Sequence, residues 1–489
     1  MLLNLTLIVP LIGGALLPLF KFDSVKKRGW YVEAIVCLTS LMVFAVLLTD
    51  MHSRYTYYRM TDALAITFRV DGAGAVFAGL VAILWPIASL YGFEYMNHEE
   101  RPNSFFAFYT MTYGITLAIA FSGNLFSLYI FYECLTLITL PLVTHKQDTA
   151  SIRAGRKYLT FSITGAALAF VALVVLFFIA GSTDFVLGGV LTADLFASHT
   201  TMIPVAFLLA FIGFGTKAAV FPMHAWLPAA SVAPTPVTAL LHAVAVVNTG
   251  AFAVLRVIYY AFGTEFLAGT WAQAVALILA CVTIVFGSSM AVKEQHLKRR
   301  LAWSTISNLS YMLMGAALMS PAGMVGSLTH MVMHGVTKIT LFYCAGAILV
   351  RTGKEYIQDV RGFGKLMPVT CAAFVVAGMS LVGTPPLSGF VSKFNLLTAA
   401  GEAGPIGAIA IAALIISAVL TAIYLFTVIG PMYFRPLNAD MAHLEGFRRD
   451  PHWMKLLPFA LLIAMVIGLG LWGGPLVSFL KDVAAGVVF

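Results

Sequence analysis

Three ionisable side chains, His330, His334 and Lys338, recur every four residues inside an apolar stretch with the length of a membrane-spanning helix. In an α-helix that spacing stacks them along one face. An ionisable group in the hydrocarbon of a bilayer costs on the order of 2.5–3.5 kcal/mol on insertion scales, so such groups turn towards a polar interior. A row of three on one face makes stepping stones for a proton. Four more candidates lie in apolar surroundings: Glu133 in LYIFYECLTLITL, Lys217 in FGTKAAVFPMHAWLP, His242 in VTALLHAVAVV and Lys393 in VGTPPLSGFVSKF. Glu133 reads as the one acid placed in mid-span. Burial disfavours charge, so a lone buried acid takes up a proton and a lone buried lysine sheds one. Near each other the two states come close in energy, and a neighbouring charge can tip the proton either way. Glu133 and Lys217 are the natural pair for such switching.

Each candidate has a plainer alternative. Glu133 also fits a hydrogen-bonding acid between helices, and His242 a neutral packing histidine. His224, two residues after Pro222, fits a structural or interfacial place as well as a functional one. Asp71, opening VDGAGAVF, reads as a helix N-cap or first-turn acid. Arg256, near the end of its span, reads as a side chain that snorkels.

The elements that must hold these residues follow from composition. Of 489 residues 60% are hydrophobic and 10% charged, against about 25% charged in a soluble domain. The chain reads as an all-α polytopic membrane protein. Apolar runs of about 20 residues number about fourteen, at 2–20, 29–49, 72–92, 105–122, 124–143, 158–180, 202–221, 232–262, 267–291, 301–319, 324–350, 368–399, 406–434 and 455–480. The N-terminal run has no basic leader region or clear cleavage site and reads as a retained helix. Lys and Arg (29, against 21 Asp and Glu) gather at Lys26–Arg28, Lys146–Lys157, Lys293–Arg300, Arg351–Lys365 and Arg435–Lys455. These are alternate connections. By the positive-inside rule they face the cytoplasm and place both termini on the other side of the cell (inner) membrane. The basic surplus therefore needs no nucleic acid to explain it. Arg54, Arg59 and Arg69 run against the trend. Five scattered cysteines without metal-ligand spacing, and no Gly-rich phosphate loop, argue against an iron–sulfur cluster, metal or nucleotide in this chain.

Two spans are interrupted by proline, at Pro222 and Pro228 and at Pro385-Pro386, which removes backbone donors and disfavours helix just before. Each break has a lysine beside it, Lys217 and Lys393. Broken helices at matching places in two halves point to a transporter with its ion site at the breaks. Lys217 precedes its proline while Lys393 follows its pair, so the two breaks do not align residue for residue.

The segments GTKAAVFPMHAWLPAASVAPTPVTALLHA, LKRRLAWSTISNLSYM, HMVMHGVTKITLFYCAGAI and GTPPLSGFVSKF, in that order, resemble the antiporter-like subunits of respiratory complex I. They are similar too to the large subunits of Mrp-type sodium/proton antiporters and to membrane-bound energy-converting hydrogenases. The resemblance implies fourteen helices with two inverted five-helix repeats and broken seventh and twelfth helices. It divides the chain into N-terminal helices 1–3 (1–104), a first repeat of helices 4–8 (105–262), a second of helices 9–13 (267–434) and helix 14 (435–489). By the same resemblance Glu133 and Lys217 would be the acid and base of the proton input. His242 would be the connecting residue of the eighth helix, His330, His334 and Lys338 part of the central hydrophilic axis, and Lys393 the base facing the exit. Asn248 stands where other members carry lysine, which leaves the link between half-channels to His242 and bound water. Lysine at 393 argues against the complex I member that has an acid there. The chain stops soon after the last span, so the long lateral helix of the largest subunit is not expected.

The function so implied is a proton-translocating, or sodium-coupled, membrane subunit of a complex I-like redox pump of the NADH–quinone oxidoreductase or hydrogenase type. The alternative is a Mrp antiporter subunit with no redox arm. Redox catalysis is not expected in the chain itself. Iron–sulfur clusters with flavin or NiFe would sit on partner subunits: a peripheral redox arm, homologous antiporter-like subunits and a small helical coupling subunit, all embedded in lipid.

Overall fold

The computed structural model describes residues 2–22, 24–61, 64–439, 441, 450–451 and 453–488. Arg448 and Arg449, part of the last basic cluster, lie outside the described residues. Apolar runs become helices, and short polar residues at their starts satisfy the free N–H groups of the first turn. After α1 (Leu2–Leu16) comes α2 (Val25–Thr49), where Ser24 accepts from Lys27 N at 3.2 Å. Asp71 opens α3 (Gly72–Tyr95) by accepting from Gly74 N at 2.8 Å, as its N-cap reading expects. Next is α4 (Pro102–Ala120). Asn124 caps α5 (Leu125–Val143), and Asp148 caps α6 (Thr149–Ala180).

The short α7 (Ala193–Ser198) precedes α8 (Met202–Gly215), which stops short of Lys217. Residues 216–225 are turns; α9 (Trp226–Ala229) and α10 (Thr235–Ala243) follow. Then come α11 (Val246–Arg256), continued as a π-helix to Phe262, α12 (Trp271–Lys293), α13 (Leu297–Ala317) and α14 (Pro321–Thr352). A single turn, α15 (Phe363–Leu366), leads to α16 (Pro368–Val382) and, across the second proline break, α17 (Ser388–Glu402). The chain closes with α18 (Pro405–Phe434), α19 (Trp453–Leu471) and α20 (Gly474–Ala484), the last two bent by 69°.

Among the described residues nine helices are long and apolar enough to cross a membrane, or ten with the bent pair counted as one span. The chain is a multi-pass, mostly helical membrane protein. α14 is its centre. It packs against α13, α17, α16, α10 and α3 and is 89% buried over its most apolar stretch, whereas α2, α6 and α18 reach 33% and present apolar faces outward. A helix hydrophobic all round belongs inside or against lipid; α14 differs in carrying its ionisable row within the protein.

Two features depart from the sequence reading. The eighth span, expected to run unbroken over 232–262, is interrupted at Val244–Ala245, directly after His242. The Asn248 amide donates to Ala243 O at 2.8 Å and serves a carbonyl that the interruption leaves free. The loop with the contrary arginines is an antiparallel hairpin, β1 (Arg54–Arg59) with β2 (Ala65–Arg69). Two of its three arginines are engaged: Arg54 pairs with Asp184 at 2.8 Å, and Arg69 donates to Phe185 O at 3.4 Å.

Close helix approach relies on small residues, as is usual in membranes. A Cβ on Gly14 would lie 2.7 Å from Ala107 O and 2.9 Å from Met111 N, backbone atoms that cannot swing aside. Gly14→Ala is therefore expected to push α1 off α4 and destabilise the protein by about 1–3 kcal/mol. Thermal unfolding of the detergent-solubilised protein measures it, and an unchanged midpoint would show that the seam yields freely.

Candidate functional site

The first break is built around Lys217. Its side chain is fully buried, with the ammonium over the Tyr132 ring, 3.3 Å from the centroid, and donating to the Tyr132 carbonyl. The Tyr132 hydroxyl reaches the opposite way, to Gly213 O at 3.3 Å and Phe214 O at 3.0 Å. These carbonyls belong to the last turn of α8, where few helical N–H groups remain to meet them; Gly213 O also accepts from Thr216 N at 3.3 Å. Tyr132 thus both holds the ammonium and closes the helix end. Glu133, next in sequence, is half-buried with its Oε1 enclosed and without a hydrogen-bond partner. No ion pair joins it to Lys217 among the described residues, though the two lie within electrostatic reach of each other; the hydrogen bond of the ammonium goes to the Tyr132 carbonyl instead. Behind Lys217 lies α11, where a Cβ on Gly250 would fall 2.3 Å from Ala218 N and 2.7 Å from Lys217 C.

His242 ends α10, fully buried, with both ring nitrogens unpartnered and its ring 5.0 Å from that of Phe342. Phe342 is one turn beyond Lys338 on α14, so His242 lies beside the row that the spacing foretold. The row itself forms as expected. His330 and His334 stack with centroids 5.7 Å apart. Lys338 donates to Leu301 O at 3.0 Å and to the Ser304 hydroxyl. His334 has no partner at either nitrogen, while His330 Nδ1 meets Ser392 Oγ at 3.0 Å.

That serine lies on α17 next to Lys393, whose ammonium donates to Leu381 O at 2.8 Å and Val382 O at 2.9 Å. These are the last carbonyls of α16, and a cation is stabilised at a helix C-terminus. Gly383 lets the lysine stem pass: its φ is +99°, and a Cβ there would lie 3.0 Å from Lys393 Cδ. Asn308, His330, His334, Thr337, Ser392 and Lys393 are among the residues that line a cavity of about 10 Å³, the size of a single-water site.

His242, Lys338, His334, His330 and Lys393 therefore follow one another in a succession of buried or partly buried titratable groups up to the second helix break, with Lys217 at the first. His224 does not join it, lying among Phe221, Phe286 and Trp303 with ring centroids 4.9–5.7 Å away.

Several members carry no mark in the sequence. Tyr132, Ser304, Asn308, Tyr311 and Ser392 are ordinary polar residues until the fold sets them beside the charged ones; Tyr311 lies between His330 (5.3 Å between centroids) and the Lys393 ammonium (5.4 Å). A repeating polar face on α13, Ser304, Asn308 and Tyr311 at helical spacing, is the one signal that could have found them. Glu133 is also not the one acid in mid-span, since α2 carries Glu33. Arg256 does not snorkel. Together with Asp71 it forms a fully buried bidentate pair, at 2.6 and 2.7 Å, because its span ends inside the protein against α3.

The profile of the family described as "NADH:quinone oxidoreductase/Mrp antiporter, TM" matches residues 122–421, which include every member of this succession. The chain is 30% identical to NADH-quinone oxidoreductase subunit N of Desulforudis audaxviator (strain MP104C), over 97% of this chain and 96% of that protein. It is also 30% identical to a protein of Rhizobium meliloti (strain 1021) described as a probable K(+)/H(+) antiporter component, over 96% of this chain but 47% of that one, so the chain spans about half of that relative's length. In fold it matches a chain of the membrane-bound sulfane sulfur reductase, an archaeal respiratory membrane complex, with a TM-score of 0.86 at 21% identity, covering 99% of this chain and 97% of the other.

Proposed function

The chain belongs to the NADH:quinone oxidoreductase/Mrp antiporter transmembrane family, and from that premise we propose that it carries protons through the membrane as one subunit of a complex I-like redox-driven pump. The observation that supports translocation is the line of titratable side chains from Lys217 through His242 and the α14 row to Lys393. A stand-alone substrate carrier would need one enclosed pocket instead.

In this reading a neighbouring subunit changes the charge or position of Glu133. Lys217, hydrogen-bonded to an uncharged carbonyl and within electrostatic reach of Glu133, responds by releasing its proton. His242 accepts it, since neither ring nitrogen has a protein partner to give up. Lys338, His334 and His330 pass it along α14. Lys393 receives it at the C-terminus of α16 and releases it on the far side. Moving one charge against 100 mV takes about 2.3 kcal/mol. Separating two unit charges from 4 to 8 Å at an effective dielectric of about 20 changes the energy by about 2 kcal/mol, of the same order as that requirement.

The basic loops would face the cytoplasm, with both chain termini on the opposite side. Partner subunits would supply the energy: a redox arm with iron–sulfur clusters and flavin or NiFe, homologous antiporter-like subunits and a small coupling subunit. The end-to-end match to the NADH-quinone oxidoreductase relative favours this assembly. The match to the antiporter component of Rhizobium meliloti supports a second reading, a member of an antiporter driven by an ion gradient, with sodium or potassium as the coupled ion. Isolating the native complex and measuring its subunits and metals separates the two. Iron with flavin or nickel in the purified complex is the expected result, and a metal-free assembly of membrane subunits alone would replace the first reading with the second.

A further inference from the structure

Glu33 is the ninth residue of α2, about 8–10 Å along the helix from its basic end at Lys26–Arg28, inside a run apolar enough to cross a membrane. It lies outside the succession of groups described above. No ion pair reaches it among the described residues. Arg28, the nearest cation on its own helix, meets Asn103 at 3.4 Å and the Phe106 ring at 5.8 Å.

The groups around the carboxyl are all neutral or potential donors. Cys37 Sγ donates to Oε1 at 3.5 Å, and Ser89 of α3 contacts Oε2. From α4, Tyr109 is within electrostatic reach with its hydroxyl unpartnered, and Tyr113 is engaged with Ser40 at 2.9 Å. α1 brings no titratable side chain. The other titratable groups of α3, Tyr91, Glu94 and Tyr95, lie in its last turns, with Tyr91 stacked on Tyr343 on the side facing α14.

Hydrogen counting adds a second constraint. Ser89 Oγ is in hydrogen-bond contact with two acceptors, the Glu33 carboxyl and Pro86 O at 2.9 Å, yet a hydroxyl has one hydrogen. Both contacts are satisfied together only when Ser89 donates to Pro86 O and the carboxyl donates its own proton to Ser89. When that proton leaves, the hydroxyl turns to donate to the carboxylate, as the thiol does. The site thus has a complete hydrogen-bond arrangement with the proton and another without it.

We propose that Glu33 and Ser89, assisted by Cys37, form a second proton-binding site at the seam of α2 and α3, separate from the Lys217–Lys393 succession. The seam lies one helix away from that succession: α3 packs on α14 with its other face, and α4 packs on α5.

Infrared difference spectra of the assembled complex test it, recorded in a Glu133→Gln background so that the other mid-span acid named above does not contribute. A protonated-carboxyl C=O band is expected at neutral pH, lost on adding Glu33→Gln and lost again reversibly on alkaline titration of the Glu33 form. A neutral-pH spectrum unchanged by Glu33→Gln overturns the proposal. If Glu33→Gln does not assemble, Glu33→Asp keeps the carboxyl and is expected to move the band; an unmoved spectrum is equally decisive against it. Because Lys217→Ala is expected to leave the band in place, failure of this site and failure of the translocation reading remain distinguishable.

Discussion

Lys217→Ala is expected to abolish coupled ion movement, down to the background of vesicles whose complex lacks this subunit, while the complex still assembles. The ammonium rests on a carbonyl and a ring that any residue and most aromatics would supply, so its removal strips little from the packing and everything from the proton balance of the break. Lys217→Arg sharpens the expectation. A guanidinium keeps the charge and donors but does not release a proton in a protein, so this variant is expected to be as inactive as alanine. If arginine restores transport, Lys217 serves as a fixed charge and the relay must bypass it. Tyr132→Phe keeps the ring and the backbone carbonyl and loses only the hydroxyl at Gly213 and Phe214. It should reduce transport without ending it. Proton uptake and release by inside-out vesicles, normalised to assembled complex, measures all three.

The second large effect falls on stability. Arg256→Met leaves the Asp71 carboxylate buried without its partner, and breaking a buried pair in this way costs about 3–5 kcal/mol. The guanidinium also packs over Phe252, Phe185 and Tyr260, with centroid distances of 4.6–5.2 Å. Asp71→Asn separates charge from capping, because asparagine still accepts from Gly74 N but no longer neutralises Arg256. It is expected to destabilise nearly as much as the arginine variant, since the unpaired charge rather than the cap carries the loss. The double variant should recover a good part of the sum of the single losses, as coupled partners do. Strict additivity in thermal or denaturant unfolding would show that the two side chains act independently.

Much of the candidate site is legible in the order of residues alone. His330, His334 and Lys338 share a face because a helix repeats every 3.6 residues, and the apolar flanks leave no other element for them. The breaks beside Lys217 and Lys393 are legible because proline removes a donor wherever it stands. The interruption after His242 is not. Val244 and Ala245 carry no breaking signal, and what holds the chain there is the Asn248 side chain on Ala243 O and the close approach of Gly250 to Lys217. Glu33 is inconspicuous for a similar reason, since Ser89 lies 56 residues away and nothing local marks the two as neighbours.

From the order of residues alone came the class of the molecule, most of its helical runs, the Asp71 cap, the two proline breaks and the ionisable row of α14, because hydropathy, helical period and proline chemistry act over a few residues; Glu33 and the break after α10 did not. Only the tertiary structure decided what each of those residues meets. It gave Lys217 a carbonyl instead of Glu133, Arg256 an aspartate instead of solvent, Lys393 the end of α16 and Glu33 a serine. A buried charge is settled by the nearest group able to satisfy it, and in a bundle this size that group comes from another helix, at a distance along the chain no local pattern encodes.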